Sequence, residues 1–482
     1  AHHLQAVDDR RAHADGGAAE CERGLVPFQL KDVFTPLCLL FAQNTTSEPG
    51  DTFYYVSPEY EPGLNREGRI RIDTRAAQPI ERQRLEESPE LPKVLFRGGA
   101  LDFTVVQKLN AEGTRPFELY WDSLGLKKGQ GYQVGGNARA QRRKPQPQLV
   151  GLPNLDKDTA DALRKEYLVD VASLPRFDEP PVLLEPRKRE LYRAPLVLVR
   201  EAPPADTESS RALLALQDLA FSRSFYGFSC HGHPQADLLT RYLLLLFNSD
   251  IPIYCALMQS GKFGVERDIF NLEDLSLMRV RPLDQLTEAQ RNSIVLFADA
   301  LMKETGARRT AARRDASRFC AQLYGLGPWD EEIIHDTLAT SLPFRSNQTT
   351  AHRKPTPEEA EAFRARVEAD LSALTLHSGA RIVLTTHSEL AAGGWLIFSL
   401  NVVDASQRAW RSPKVKPTQL TEFLQLAEQT GASQLLCHQG VGRLLIGILA
   451  QYRYFTMTRA RECVQAVAWD HLDRLLERTE QA

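Results

Sequence analysis

The residues of this chain best suited to chemistry are cations and hydroxyls set beside glycines. In Ser260-Gly261-Lys262-Phe263-Gly264-Val265-Glu266-Arg267-Asp268, two glycines let the backbone come close to another surface, and Lys262 and Arg267 offer phosphate contacts. Lys127-Lys128-Gly129-Gln130-Gly131-Tyr132-Gln133 sets two lysines against a Gly-x-Gly. Three basic groups stand elsewhere: Arg139, Arg142, Arg143 and Lys144 beside Gly135-Gly136; Arg187, Lys188, Arg189 and Arg193; and Arg308, Arg309, Arg313 and Arg314. Arg223, Ser224 and Tyr226 add donors of the kind that reach base acceptors in the major groove. Contact with phosphates and bases is the chemistry on offer, with Lys127, Lys128, Arg139, Arg142, Arg143, Lys144, Arg223, Ser224, Tyr226, Lys262 and Arg267 as its candidate residues. A plain solvated surface competes with it, because charge runs commonly are just that. A Gly-x-Gly that is not framed by a strand and a helix is equally a turn.

The chemistry that is missing narrows the reading. There is no Asn-Pro-Pro-Tyr or related motif to hold a flipped base; Asp178-Glu179-Pro180-Pro181-Val182 is the nearest approach and lacks the stacking aromatic. No phosphate loop with Gly-Lys-Ser/Thr, no Gly-x-Ser-x-Gly elbow and no Glu-x-Lys nuclease signature occurs. Cys230-His231-Gly232-His233 holds zinc-ligand types, but a structural zinc needs four ligands and no second pair is nearby. No metal site, no bound cofactor and no catalysis by this chain alone are expected.

The chain has 482 residues, 43% of them hydrophobic, and a formal net charge of −3. That length suits about three domains. The near-neutral total means that a DNA-binding face requires locally clustered cations. Seven cysteines are scattered without paired spacing, which fits reduced thiols in a cytoplasm. No apolar run is long enough for a membrane span, and the first residues lack the apolar core of a secretory signal.

These residues are positioned by elements that the pattern partly reveals. Residues 242–247 are apolar on every side, as in a buried helix, and Asn248-Ser249 stops it. Thr287 and Gln290 form a capping box for a helix that aligns Ile294, Phe297, Ala298 and Leu301 on one face. The order of parts resembles DNA target-recognition modules of type I specificity subunits and of type IIG adenine-specific DNA methyltransferases. The matching positions are the Leu-rich run, Asn248-Ser249, Gly264 to Arg267, Pro282, Gln290 and Ile294, and the resemblance is strongest over 191–304. Gly131-Tyr132, Leu323-Tyr324-Gly325-Leu326 with the acidic residues after it, and Tyr454-Phe455-Thr456-Met457-Thr458-Arg459-Ala460 are similar to further phrases of that family.

In chain order, strands are expected at 26–41 and 52–56, a connector over 58–92 with one strand at 70–72, a strand at 93–99 and a helix at 101–109. A helix at 156–166 and strands at 193–200, 219–222 and 224–228 lead to the buried helix. Beyond it come helices at 318–326 and 329–342, a polar linker at 346–354, a helix opened by Thr356 and running to about 374, strands at 380–386 and 395–403, a helix at 418–430, a strand near 452–456 and a helix at 459–478.

The expected fold class is α+β, in three parts. Residues 1–150 resemble the end of a methyltransferase domain plus a connector. Residues 151–345 form the recognition module with a helical spacer, and 346–482 a small α+β domain. The resemblance implies a DNA-binding specificity component of an adenine methyltransferase or restriction and phage-defence system. Its partners would be double-stranded DNA, a catalytic methyltransferase domain or subunit that binds S-adenosylmethionine, and other restriction or defence subunits. A non-catalytic protein-interaction scaffold of a defence complex is the alternative.

Overall fold

The computed structural model describes residues 48, 50–57, 61, 64, 66–67, 71–72, 77–135, 142–204, 206, 208–264, 268–342, 344–387, 394–407, 414–430 and 432–476. The chain divides into two units, Ala1–Pro92 with Glu428–Ala432, and Lys93–Ala427 with Ser433–Ala482. Helices and mostly antiparallel sheets are mixed along the chain, giving the expected α+β class. Among the described residues no helix is long and apolar enough to cross a membrane.

In the first unit, strand Thr52–Val56 pairs antiparallel with Ala77–Glu81, Thr52 facing Glu81 and Val56 facing Ala77. The helix Arg82–Glu87 follows directly. The expected connector over 58–92 therefore contains a strand and a helix. Ala-Gln-Pro-Ile-Glu lacks a β-branched run and carries a proline, which strands tolerate only at an edge. A two-stranded ribbon is all edge, so pairing overrode local preference. The strand expected at 26–41 lies outside the described residues, as does residue 70.

The second unit begins with a correction. Residues 93–99 do not form a strand; the helix Leu91–Arg97 occupies the segment. Leu91, Val94 and Leu95 stand at i, i+3 and i+4, a helical stripe, and Val94 is fully buried. The helix Ala100–Leu109 follows, with Asp102 in its first turn accepting from the Gly99 amide at 2.8 Å.

A four-stranded antiparallel sheet then runs in the order Lys127–Gln130, Phe225–Ser229, Leu196–Arg200, Ala212–Ala215. Gly227 faces both Gly129 and Leu198 in register. The Phe221 ring lies over Gly227, where an added Cβ would stand 2.3 Å from it, so only glycine fits. Leu149, Leu155, Tyr192, Leu198, Phe221 and Phe225 belong to the core beneath. The strand Ala212–Ala215 was not anticipated, because Ala-Leu-Leu-Ala reads as helix by propensity and becomes strand only through its neighbour.

The Leu-rich helix spans Ala236–Asn248. Asn248 does more than end it. Its Oδ1 accepts from the Arg211 and Ala212 amides at 2.8 and 3.1 Å, while Nδ2 donates to the Ala212 and Leu244 carbonyls at 3.0 and 2.8 Å. One side chain thereby satisfies the start of the edge strand and fixes the helix against it. After Ser249 the chain turns into a further helix, Ile251–Gln259, which the sequence reading passed over. The Thr287 box forms as expected, with Gln290 Oε1 accepting from the Thr287 amide at 2.9 Å and Thr287 Oγ1 from the Gln290 amide at 3.3 Å. Ile294, Ala298 and Leu301 are its buried stripe.

Helices Gly306–Leu323 and Pro328–Ser341 continue the chain. The polar segment 346–354 is not a linker but lies largely in the helix Arg345–His352. Helix Pro357–Leu374 is opened by the Thr356 cap. A second antiparallel sheet has the order Ala380–Thr386, Trp395–Asp404, Arg443–Leu449, Gln434–His438. Helices Pro357–Leu374 and Met457–Asp470 share one of its cores, through Phe363, Val367, Phe398, Ile446 and Cys463. Helix Pro417–Thr430 covers the other face, Trp395 meeting Phe423 at 5.7 Å. The last two strands were missed, and residues 452–456 hold a 3₁₀ turn, Tyr452–Tyr454, instead of the expected strand. The final helix breaks at His471 and resumes as Leu472–Leu476.

Candidate nucleic-acid interface

The interface is built around one stretch of backbone, residues 127–135. Its first part is the edge strand Lys127–Gln130, bonded on one side to Phe225–Ser229. Gly131 is locked because a Cβ there would stand 2.2 Å from the Phe221 carbonyl oxygen. The Tyr132 and Gly131 amides donate to the Phe221 and Phe225 carbonyls at 3.0 Å each.

A cleft of about 610 Å³ opens beside the strand. It is lined by Lys127, Lys128, Gln130, Arg187, Lys188, Tyr226 and Asn271 among others, with Glu190 and Glu273 as the only carboxylates. Of its four cations, Lys128 and Arg187 are ion-paired to carboxylates outside the lining, and among the described residues Lys127 and Lys188 are not. Lys127 and Lys188 are exposed and have no ion-pair partner among the described residues. Lys128 is pulled back to Asp122 and Glu118, at 3.1 and 3.4 Å, with 13% of its side chain exposed. Arg187 sits in the left-handed region at φ 66°, an uncommon place for a residue with a Cβ. Its Nε donates to the Gln130 and Gly131 carbonyls at 3.1 and 3.3 Å, and its Nη1 meets Glu185 at 2.7 Å. Such strain concentrates where surrounding structure over-determines a site. Here it aims the guanidinium at the strand and leaves Lys188 pointing free.

A second cleft, about 340 Å³, lies along the rest of the stretch and is lined by Tyr132, Val134, Gly135, Asp156, Lys157, Ser222, Arg223 and Ser224. Gln130 Nε2 donates to the Arg223 carbonyl at 3.1 Å, and the Arg223 amide to the Tyr132 carbonyl at 2.8 Å. Arg223 and Lys157 are exposed, and Ser224 is half-buried.

The structure thus brings Lys127, Lys128 and Tyr226 to one cleft and Arg223 and Ser224 to its neighbour. Tyr226 contributes wall: it is 4% exposed, and its hydroxyl donates to the Phe270 carbonyl at 3.1 Å. Arg143 is half-buried, donating to the Gly135 carbonyl at 2.6 Å, so it shapes the second cleft's rim. Arg142 and Lys144 stay exposed. Lys262 is exposed on a loop whose neighbours Phe263 and Phe270 are buried, their rings 4.9 Å apart, as anchoring required. Arg139 and Arg267 lie outside the described residues.

Several cations are spent on the fold. Arg309 pairs with Glu166 at 3.2 Å, and Arg313 donates to the Ser209 carbonyl at 2.7 Å, so this part of the third basic group fastens helix Gly306–Leu323 to the module. Arg193 Nη1 lies 3.2 Å from His231 Nε2, and His231 Nδ1 lies 3.1 Å from the Ala194 carbonyl, the pattern of a neutral imidazole with its proton on Nδ1. Burial pushes the Cys230 thiol well up. These residues serve the turn.

Sequence reasoning missed Gln130, Lys157 and Asn271 as lining residues. It recognised Arg187 and Lys188 only as a charge run. Nothing in the local sequence marks Arg187 as left-handed, since that conformation answers to the Gln130 and Gly131 carbonyls across the cleft.

No protein-family model matches the chain, and neither does any curated protein. Solved structures do. One, from a study of complex assembly and conformational transition in the type I R-M system, is 14% identical with a TM-score of 0.24, covering 54% of this chain and 55% of that one. The type IIG restriction endonuclease BpuSI is 10% identical with a TM-score of 0.27, covering 56% and 37%. The HsdS subunit from Thermoanaerobacter tengcongensis is 13% identical with a TM-score of 0.21, covering 50% and 53%. This chain spans about half, or less, of the length of each.

Proposed function

We propose that this chain is a DNA-recognition component of a restriction–modification system, binding duplex DNA along the two clefts and directing a catalytic methyltransferase domain or subunit carried elsewhere. One observation carries the reading. Cations from separate segments, Lys127, Lys188, Lys157 and Arg223, converge on a single rigid backbone stretch, exposed and unpaired among the described residues. A solvated face has no need of such convergence. Lysines there would neutralise backbone phosphates, while Arg223, Ser224 and Gln130 offer the donors and acceptors that base edges require. S-adenosylmethionine would belong to the catalytic partner, because this chain lacks the motifs that bind it.

The test is the salt dependence of duplex binding, measured by fluorescence anisotropy on the full chain. The wild type is expected to show log K falling linearly with log salt, and Lys127→Ala with Lys188→Ala to reduce that slope by about 2. A wild type that ignores duplex DNA at low salt would refute the proposal.

A further inference from the structure

Away from the clefts, two cations sit where ordinary folding gives them no reason to be. Lys93 and Arg97 are four apart on the helix Leu91–Arg97, hence neighbours on one face, and like charges at that spacing repel. Both are half-buried. Neither has an ion pair among the described residues. Lys93 Nζ donates at 3.3 Å to the Phe263 carbonyl. Among the described residues Arg97 forms no hydrogen bond; its Cζ stands 4.5 Å from the centroid of the Phe96 ring, and its buried Nε is unsatisfied. The helix C-terminus favours Arg97, but Lys93 lies in the first turn, where the dipole opposes it.

The segment Ser260–Gly264 packs against this pair. Ser260 Oγ accepts from the Lys262 and Phe263 amides at 3.0 and 2.9 Å and donates to Asp274 at 2.5 Å. Asp274, whose charge acts on Lys93, is hydrogen-bonded there and by the Asn271 amide at 2.7 Å. Gly264, at φ +72°, presents bare backbone to Arg97: a Cβ there would stand 3.7 Å from Nε. Lys262 is exposed on the same loop. The cleft wall is continuous with it, because Asn271 and Glu273 line the cleft and Asp274 ties that segment to Ser260.

We propose that Lys93 and Arg97, with the Gly264 backbone over them, are a seat for a backbone phosphate of the DNA that occupies the neighbouring cleft. The inference rests on the DNA-binding reading above. A half-buried guanidinium without an ion pair, set beside an ammonium, is matched by a phosphate, which accepts from both. Burial, then the neighbouring charge of Arg97, lowers the Lys93 pKa to about 7, against a smaller upward pull from Asp274.

Arg97→Gln and Arg97→Lys in the full chain test it, using anisotropy with labelled duplex, thermal melting, and a separate titration with ATP as a free phosphate source. Arg97→Gln is expected to weaken duplex binding about tenfold at low salt and to reduce the salt slope by about 1, with Tm unchanged or raised, since no bond within the fold is lost. Arg97→Lys should keep the slope. A lower Tm for Arg97→Gln with an unchanged slope overturns the proposal and makes Arg97 structural, leaving the cleft's function standing. ATP binding that Arg97→Gln abolishes, with duplex binding intact, also overturns it by assigning the seat to a free nucleotide. A wild type that does not bind duplex at all removes both readings.

Discussion

Among the described residues the chain contains two four-stranded antiparallel sheets, and they differ in which cations beside them are paired. Around the terminal sheet several arginines are consumed. Arg364 bridges Glu361 and Glu368 at 2.6 Å each, Arg366 meets Asp370 at 2.8 Å, Arg459 meets Glu462 at 2.6 Å and Arg461 meets Glu332 at 2.7 Å. Helices cover both faces of that sheet. Around the first sheet, Lys127, Lys188, Arg223, Arg142 and Lys144 are exposed and lack ion pairs among the described residues. Its edge strand Lys127–Gln130 borders open clefts rather than a helix. Pairing separates them, because only an unpaired cation gains substantially from a phosphate.

The comparison is broken most severely by removing what holds the first region's loop. Phe270 is 2% exposed against Phe263, and Phe270→Ala is expected to cost about 3–5 kcal/mol in chemical denaturation. Duplex affinity per folded molecule would fall as well, since the Phe270 carbonyl holds Tyr226 in the cleft wall.

A sharper contrast pairs two double variants. Arg142→Ala with Lys144→Ala should weaken duplex binding about tenfold to a hundredfold at low salt, with stability within about 0.5 kcal/mol of the wild type. Arg364→Ala with Arg366→Ala should do the reverse, lowering stability by about 1 kcal/mol and leaving DNA affinity untouched. Equal effects of the two pairs on anisotropy titrations would erase the distinction between the sheets.

The smallest effect concerns pH. Lys93 titrates near 7 in the folded chain and near its ordinary value of 10.5 when unfolded. Between those values the unfolded chain holds a proton that the folded chain has released. Stability therefore rises with pH across that window and is flat below it, as far as Lys93 contributes. Lys93→Met should abolish the rise, seen as a wild-type minus variant difference in urea midpoints from pH 7 to 10. Duplex affinity should decline over the same range in the wild type alone.

Much of this architecture is written in local pattern. The Leu-rich helix, the Thr287 and Thr356 caps, the strands at 52–56, 380–386 and 395–403, and the need for glycine at 264 all follow from spacing and capping chemistry within a few residues. The errors share one cause. Ala77–Glu81, Ala212–Ala215 and Gln434–His438 are strands because a partner strand completes their hydrogen bonds, and the segment 93–99 is helical because Val94 and Leu95 have a core to enter.

The candidate site divides the same way. Sequence alone determined which residues carry charge and which turns admit glycine, since those are properties of side chains and of single φ angles. Tertiary structure alone decided which cations are spent and which are free. It turned Tyr226 inward, committed Arg309 and Arg313 to the module, strained Arg187 against Gln130 and left Arg97 without a partner. Ion pairing and burial depend on distances between segments up to a hundred or more residues apart, and only the packed core sets those distances.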